Sequence, residues 1–337
     1  MTRFMYNIKT ASERKPWKMT GRAGRKKYIS LAVSALLMTL IAVMLSGCTE
    51  IKVTHPLGSD TLLEINDTRC SMGTGVFALL EAKENYKDAD DTLIWTRNIG
   101  DTTLAQYLKS TVTDELLRYT AAEVMAQPLT VFIAEEDREK AETDAQALFE
   151  DLNSRYNLAR YNISWEDALD LMIKRTYYNK VYEKLSENIS MEISEADTKV
   201  IEISYVFIPS EDGIETAEKM RNEVRGGADF ESVCSNYGYV PVQDLMVMKG
   251  TLQASMENKA FALRDNEVSE IIETREGYYI IFCLEDYKVA ESLANKNRMI
   301  ADAKKERFQK AYEDFARSNK MRFNTSAWDE YDLTVME

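Results

Sequence analysis

The sequence predicts an α+β fold: a helical body formed by both chain ends, carrying an inserted β-α-α-β-α-β-β unit. Three observations predict it. Apolar residues recur at spacings of three and four from about Met72 to Ser190, alternate over Ile201–Phe207, and resume helical spacing after Tyr287. Thirteen glycines and five prolines in 337 residues are too few for a loop-rich all-β chain. A single helix after Tyr287 cannot hide its own apolar face, so it is expected to pack back on the N-terminal helices.

In the first part of the body, Leu104, Leu108, Val112, Leu116 and Tyr119 mark one helix, and Ala141, Ala145, Leu148, Phe149 and Leu152 another. Trp165, Ala168, Leu169, Met172, Ile173, Tyr177, Val181 and Leu185 mark a third, with Ser164 as its N-cap and Asp167 suited to its first turn. The aromatic and methionine stripe on these helices reads as core, with a share left for a concave binding surface.

In the insert, Ile201, Ile203, Tyr205 and Phe207 have strand period. Ile214, Ala217, Met220 and Val224 return to helical spacing, stopped by Gly226-Gly227, and Asp229 caps a second short helix. A strand near Leu245–Met248, a helix near Met256–Leu263 and strands near Val268–Thr274 and Tyr278–Leu284 follow. The last is apolar throughout, as a strand covered on both faces would be. After residue 287, Ile300, Phe308, Ala311, Tyr312 and Phe315 carry one long helix toward the end of the chain.

The N-terminus reads as an export signal: Arg22, Arg25, Lys26 and Lys27 precede an apolar run from Tyr28 to Gly47, ending Leu45-Ser46-Gly47-Cys48. Met19, just upstream of the basic cluster, is an alternative start to Met1. The ending resembles a bacterial lipoprotein signal, which implies cleavage before Cys48 and acylation of its thiolate. An uncleaved anchor is the other reading, since twenty mostly apolar residues can just span a bilayer. Both place the remainder outside the cytoplasm, on the outer face of the cell membrane. The expected division is a signal peptide over 1–47, a tether over 48–60, helical residues 61–200, the insert over 201–287, and a C-terminal helix over 288–337.

From Cys48 onward the chain holds 33 basic and 55 acidic residues, a net charge of −22. That argues against nucleic acid or anionic lipid as partner; it is compatible with basic clients or bound cations, and solubility is the usual reason for such a charge. Cys70, Cys234 and Cys283 are an odd set that cannot all pair, and Cys234 and Cys283 read as buried small hydrophobes. One histidine, His55, and no CxxC leave no basis for a metal site. No cofactor is expected.

The order Ile203-Ser204-Tyr205-Val206-Phe207-Ile208, Gly226-Gly227-Ala228-Asp229-Phe230, Ala260-Phe261-Ala262-Leu263 and Gly277-Tyr278-Tyr279-Ile280-Ile281 resembles the parvulin (rotamase) family. With helical flanks from both chain ends, the whole resembles extracytoplasmic foldases of the PrsA and SurA type, so the body is expected to be a chaperone-like domain. The resemblance implies a histidine in the first strand and another after the last Gly-Tyr, joined to a loop cysteine or aspartate. Here those two positions are Tyr205 and Tyr279. The loop around Gly238–Val240 is shortened, Asp244-Leu245 matches a later Asp-Leu, and Leu252 and Met256 stand at the pocket methionine and phenylalanine. Tyr205, Leu252, Met256 and Tyr279 are therefore the candidate substrate groove, and no catalytic residue is assigned.

Prolyl isomerisation breaks no bond. A catalyst must lower a rotational barrier of about 18–20 kcal/mol for an ordinary peptide bond by binding the twisted amide better than the planar one. Two tyrosines can exchange a hydrogen bond, or they are ordinary sheet aromatics. The leading expectation is a lipid-anchored folding factor that binds unfolded or secreted polypeptides, with isomerase activity weak or lost. An active prolyl isomerase and a solute-binding lipoprotein are the alternatives; the latter needs repeated βαβ units, and the stretch before Ile201 has too few strands. Helical domains of this kind can also form homodimers.

Overall fold

The computed structural model describes residues 57–86 and 92–336. The expected signal segment, Cys48, His55 and most of the tether lie outside the described residues. Among the described residues no helix is long and apolar enough to cross a membrane.

The chain opens with a hairpin that the periodicity did not announce. Strands β1 (Thr61–Ile65) and β2 (Thr68–Ser71) pair antiparallel across a turn in which Asn66 takes φ 54°. Every residue of β1 is buried, so it has no alternation to read. Helix α1 (Met72–Glu84) follows, capped by Ser71, whose side chain accepts from Thr74 N at 2.8 Å. Two short strands, β3 (Asn98–Ile99) and β4 (Thr102–Thr103), lead into α2 (Leu104–Ala126). A capping box starts α2: Thr103 accepts from Gln106 N, and Gln106 Oε1 accepts from Thr103 N at 3.1 Å. Helices α3 (Glu135–Asn153) and α4 (Trp165–Ser186) complete the first part of the body, and two single turns, α5 (Ile189–Glu192) and α6 (Glu195–Thr198), lead out of it.

The apolar faces expected from the spacing are the faces that pack. Leu104, Leu108, Val112 and Leu116 of α2, Ala141, Ala145 and Leu152 of α3, and Ala168, Leu171 and Met172 of α4 share one core with α1. Each fully buried leucine, valine or methionine among them contributes about 1.5–3 kcal/mol. Asp167 does more than start α4. Its carboxylate accepts from Ser164 N at 2.8 Å and from the hydroxyl of Ser71, joining the first turns of α4 and α1. Gly73 lets the carboxylate approach that close, because a Cβ there would sit 2.4 Å from its oxygen.

The insert follows as β5 (Val200–Pro209), α7 (Ile214–Arg225), α8 (Phe230–Asn236), β6 (Val242–Met248), α9 (Ala254–Ala260), β7 (Ile272–Glu273) and β8 (Gly277–Glu285). Its sheet runs β6-β5-β8-β7, antiparallel throughout. The glycines end α7 as expected: Gly227 takes φ 94°, and Ala228 N donates to Glu223 O at 3.1 Å. Asp229 caps α8 by accepting from Ser232 N at 2.8 Å. Residues 268–271 are less regular than expected, since Val268 makes an isolated bridge to Phe282 and regular pairing begins at Ile272. Helices pack on both sheet faces. Val206, Ile208 and Ile280 meet α7 and α8 on one side; Ile201, Ile203, Ile281 and Cys283 meet Met256 and Ala260 of α9 on the other.

Helix α10 (Val289–Ser318) returns to the body. Phe308, 2% exposed, packs against Tyr178 and Tyr182 of α4 with ring centroids 4.8 and 5.8 Å away. The fold class is α+β with an inserted unit of the expected order. The final helix, however, does not run on to the chain end. Asn319 leaves it in extended conformation, its amide donating to Phe315 O at 2.8 Å. Strand β9 (Met321–Phe323) then pairs antiparallel with β1, placing Phe323 beside Leu63, before a last turn, α11 (Thr325–Asp329). The first and last strands of the described residues are thus hydrogen-bonded in one sheet, β2-β1-β9.

Glu64 crosses that sheet. One carboxylate oxygen accepts from the Arg322 guanidinium of β9 and the other from Arg69 Nε of β2 at 2.9 Å. The Arg322 bond is the largest influence, and it holds the carboxyl below its ordinary value of 4.5 despite partial burial. A depressed folded pKa adds stability above the unfolded pKa, which is lost as pH falls through the folded value. Thermal melts of the wild type and Glu64→Gln are expected to differ most near about pH 7 and to converge as pH falls below the ordinary carboxylate value and through the depressed folded one. A gap unchanged down to about pH 3 would show that the two arginines do not stabilise the ionised form.

The connections to the insert are tied to each other. Val200 N donates to Ser292 Oγ at 2.9 Å, Lys288 N to Val200 O at 2.8 Å, and the buried Asn295 amide to Thr198 O at 3.0 Å.

Candidate functional site

Strand period sets the site. Tyr205 and Phe207 lie on the face of β5 that continues from Ile201 and Ile203, and Tyr279 lies opposite Phe207 on β8. Helix α9 covers the Ile201–Ile203 end of that face, with Met256 at 6% exposure. Beyond it Tyr205, Phe207 and Tyr279 are half-buried and form an aromatic platform. The Tyr205 and Tyr279 ring centroids are 6.0 Å apart, and those of Phe207 and Tyr279 4.9 Å, all in tilted geometry. Such pairs add about 0.5–1.5 kcal/mol beyond area burial.

The four residues expected to form a groove all pack on one core. Met256 is in it, and Tyr205, Leu252 and Tyr279 border it half-buried. Leu252 is placed by the turn after β6, where Gly250 takes φ 83° and its N–H donates to the Glu257 carboxylate of α9 at 2.6 Å. The two tyrosines meet as rings. Neither hydroxyl makes a hydrogen bond to a described residue, so the exchange weighed from the sequence does not form. Diagonal neighbours on adjacent strands are within reach of each other's rings.

Two platform residues escaped the sequence reading. Phe207 shares the parity of Tyr205 and was legible from the alternation alone. Val242, 42% exposed, pairs with Tyr205 on β6, and it reaches this face through a shift of register. At the shift Asp244 takes φ 49°, and its N–H donates to the buried Ser204 Oγ at 3.3 Å.

The neighbouring loop offers no second polar partner to the platform. Tyr239 donates to Asp212 at 2.8 Å, and burial first, then that bond, pushes its hydroxyl up to about 12. Cys234 and Cys283 are fully buried, and desolvation pushes each thiol up to about 11, so they behave as small hydrophobes rather than nucleophiles. The platform can therefore hold an apolar ring and desolvate the amide beside it, with no acid or base built in.

A family model described as the rotamase, PPIC-type PPIase domain matches residues 210–285. The chain carries a parvulin-type rotamase domain. A curated "Parvulin-like PPIase" of Rickettsia bellii is 26% identical over 153 residues, 43% of this chain and 52% of the relative. The chain thus matches about half the length of that relative. Among solved structures, PrsA of Bacillus cereus is 16% identical, with 72% of this chain and 92% of that one covered, at a TM-score of 0.30. Foldase protein PrsA of Lactococcus lactis is 12% identical, with 80% and 96% covered, at a TM-score of 0.29. A SurA-like chaperone of Campylobacter jejuni is 10% identical, with 78% and 98% covered, at 0.25. TM-scores this low do not establish a shared whole-chain fold, and the match over residues 210–285 carries the assignment. Of the platform residues, Tyr279 lies within the matched segment, and Tyr205 and Phe207 lie on the strand just before it.

Proposed function

We propose that the chain is a lipid-anchored, extracytoplasmic protein-folding factor that seats extended polypeptide on the platform, with little or no isomerase turnover. The observation that carries this reading is the platform: an apolar, half-open sheet face that holds Tyr205 and Tyr279, the two positions where the family resemblance implies histidines. Binding a proline ring needs the apolar surface and the desolvation that remain; favouring the twisted amide needs directed hydrogen bonds that these phenols do not make with each other. The lipoprotein-like ending at Cys48 supports the anchor and the location.

Refolding of a proline-limited client, followed with and without the protein, tests the role. Reduced aggregation with an unchanged slow phase is expected, and no effect on either yield or rate would refute it. Isomerase activity is the second reading, favoured by the closeness of the two phenols. A tetrapeptide isomerisation assay decides it. We expect the rate to stay at the uncatalysed level and to be the same for wild type, Tyr205→Phe and Tyr279→Phe. Catalysis that falls about tenfold or more in either variant would establish the enzyme instead.

A further inference from the structure

We propose that the segment seated on the platform is cationic, carrying lysine or arginine beside its apolar residues. This rests on the reading of the platform as a polypeptide site and narrows it to a class of client. The platform itself is uncharged; its surroundings are not. Residues 201–287 hold seventeen acidic and seven basic side chains, a net charge of −10.

Four of the seven basic groups are occupied within the described residues. Arg221 and Arg225 both hold Glu270 at 2.5 Å, Lys249 pairs with Asp197 at 3.1 Å, and Lys259 donates to Ile271 O at 3.4 Å. The carboxylates of Glu211, Asp244 and Glu276, in contrast, have no ion pair or side-chain hydrogen bond with a described residue. Their backbone positions lie at the strand ends and at the register shift that bound the platform. Glu211 lies just past the end of β5 and Glu276 just before β8, and these two ends are joined by Ser210 N donating to Glu276 O at 3.1 Å. This is the Phe207–Tyr279 end of the face. Asp244 lies two residues from Val242, on the Tyr205 side. Arg275 is an exposed opposing charge at the same turn as Glu276 and reduces the field without cancelling it.

An extended segment crossing from Val242 toward Phe207 therefore passes between acidic margins. Lysine or arginine flanking its apolar residues gains attraction at both ends, while aspartate or glutamate meets like charge. The margins are exposed, so screening over about 8 Å at physiological ionic strength makes the preference moderate and salt-dependent.

The test uses the full chain and fluorescent peptides that share one proline–aromatic core, flanked by lysines, serines or glutamates. At about 20 mM salt, the lysine-flanked peptide is expected to bind about threefold to tenfold more tightly than the glutamate-flanked one, the serine peptide lying between. Near about 500 mM salt the three affinities should converge. A variant combining Glu211→Gln, Asp244→Asn and Glu276→Gln should lose most of the discrimination and keep its affinity for the serine peptide. Asparagine suits position 244 because it tolerates a positive φ. Equal affinities for all three peptides at low salt would overturn the cationic preference and leave the platform reading standing. Binding of none of them would overturn both.

Discussion

Trp328→Ala is expected to cost about 3–5 kcal/mol of stability, although it lies ten residues past the last long helix. The indole is 3% exposed and is held by elements distant in sequence. Its Nε1 donates to Thr113 Oγ1 of α2 at 3.0 Å, and Lys109 Nζ sits 5.4 Å from the ring centroid. Phe323 and Tyr331 flank it at 6.5 and 6.2 Å. On α1, Gly75 leaves it room: a Cβ there would lie 3.3 Å from the indole and 2.2 Å from Leu62 Cδ2. Alanine would open a cavity between α1, α2 and β1, and would leave the Thr113 hydroxyl without its donor. Urea unfolding followed by circular dichroism measures the loss, and Trp328→Phe, which keeps most of the volume, should cost less than half as much. An unchanged midpoint in Trp328→Ala would mean that the C-terminal segment is not part of the body core.

Gly277→Ala should cost about 2–4 kcal/mol and disable the platform together with the fold of the insert. Gly277 opens β8 with φ 154°, opposite Pro209. A Cβ would lie 2.2 Å from Ile208 O and 2.9 Å from two carbons of the Phe207 ring. The carbonyl is backbone within a paired strand and cannot turn away without breaking the β5–β8 ladder. The Phe207 ring can move, but it would leave its contact with Tyr279. The glycine of the Gly-Tyr pair is thus required by the close approach of two strands and by the aromatic stacked over it. Binding of the serine-flanked peptide should fall in parallel with the shift in the urea curve. Full stability in Gly277→Ala would show that the strand ends relax freely.

Most of the helical body was legible because its helices bury a stripe and expose the rest, as Leu104 through Leu116 illustrate. The insert was legible because alternation, glycine stops and the Asp229 cap agree with one another. What stayed hidden has a common cause. β1 is buried on both faces and shows no period. β9 is three residues long and has meaning only beside β1. Lys174, 1% exposed on the core side of α4, reads as a break in an apolar stripe. Its partners, Glu123 at 2.7 Å from α2 and Asp170 at 2.9 Å, explain its burial only once the helices are packed. At the site, Tyr205 and Tyr279 were found through the family resemblance, and Phe207 follows from parity. Val242 depended on a register shift that local sequence does not encode.

The bond from Lys288 N to Val200 O means that the polypeptide leaves and rejoins the body at nearly the same spot. A gap that narrow could be closed by a short turn. Replacing residues 201–287 by such a turn is therefore expected to leave the surrounding helices folded, which a thermal melt of the shortened chain checks.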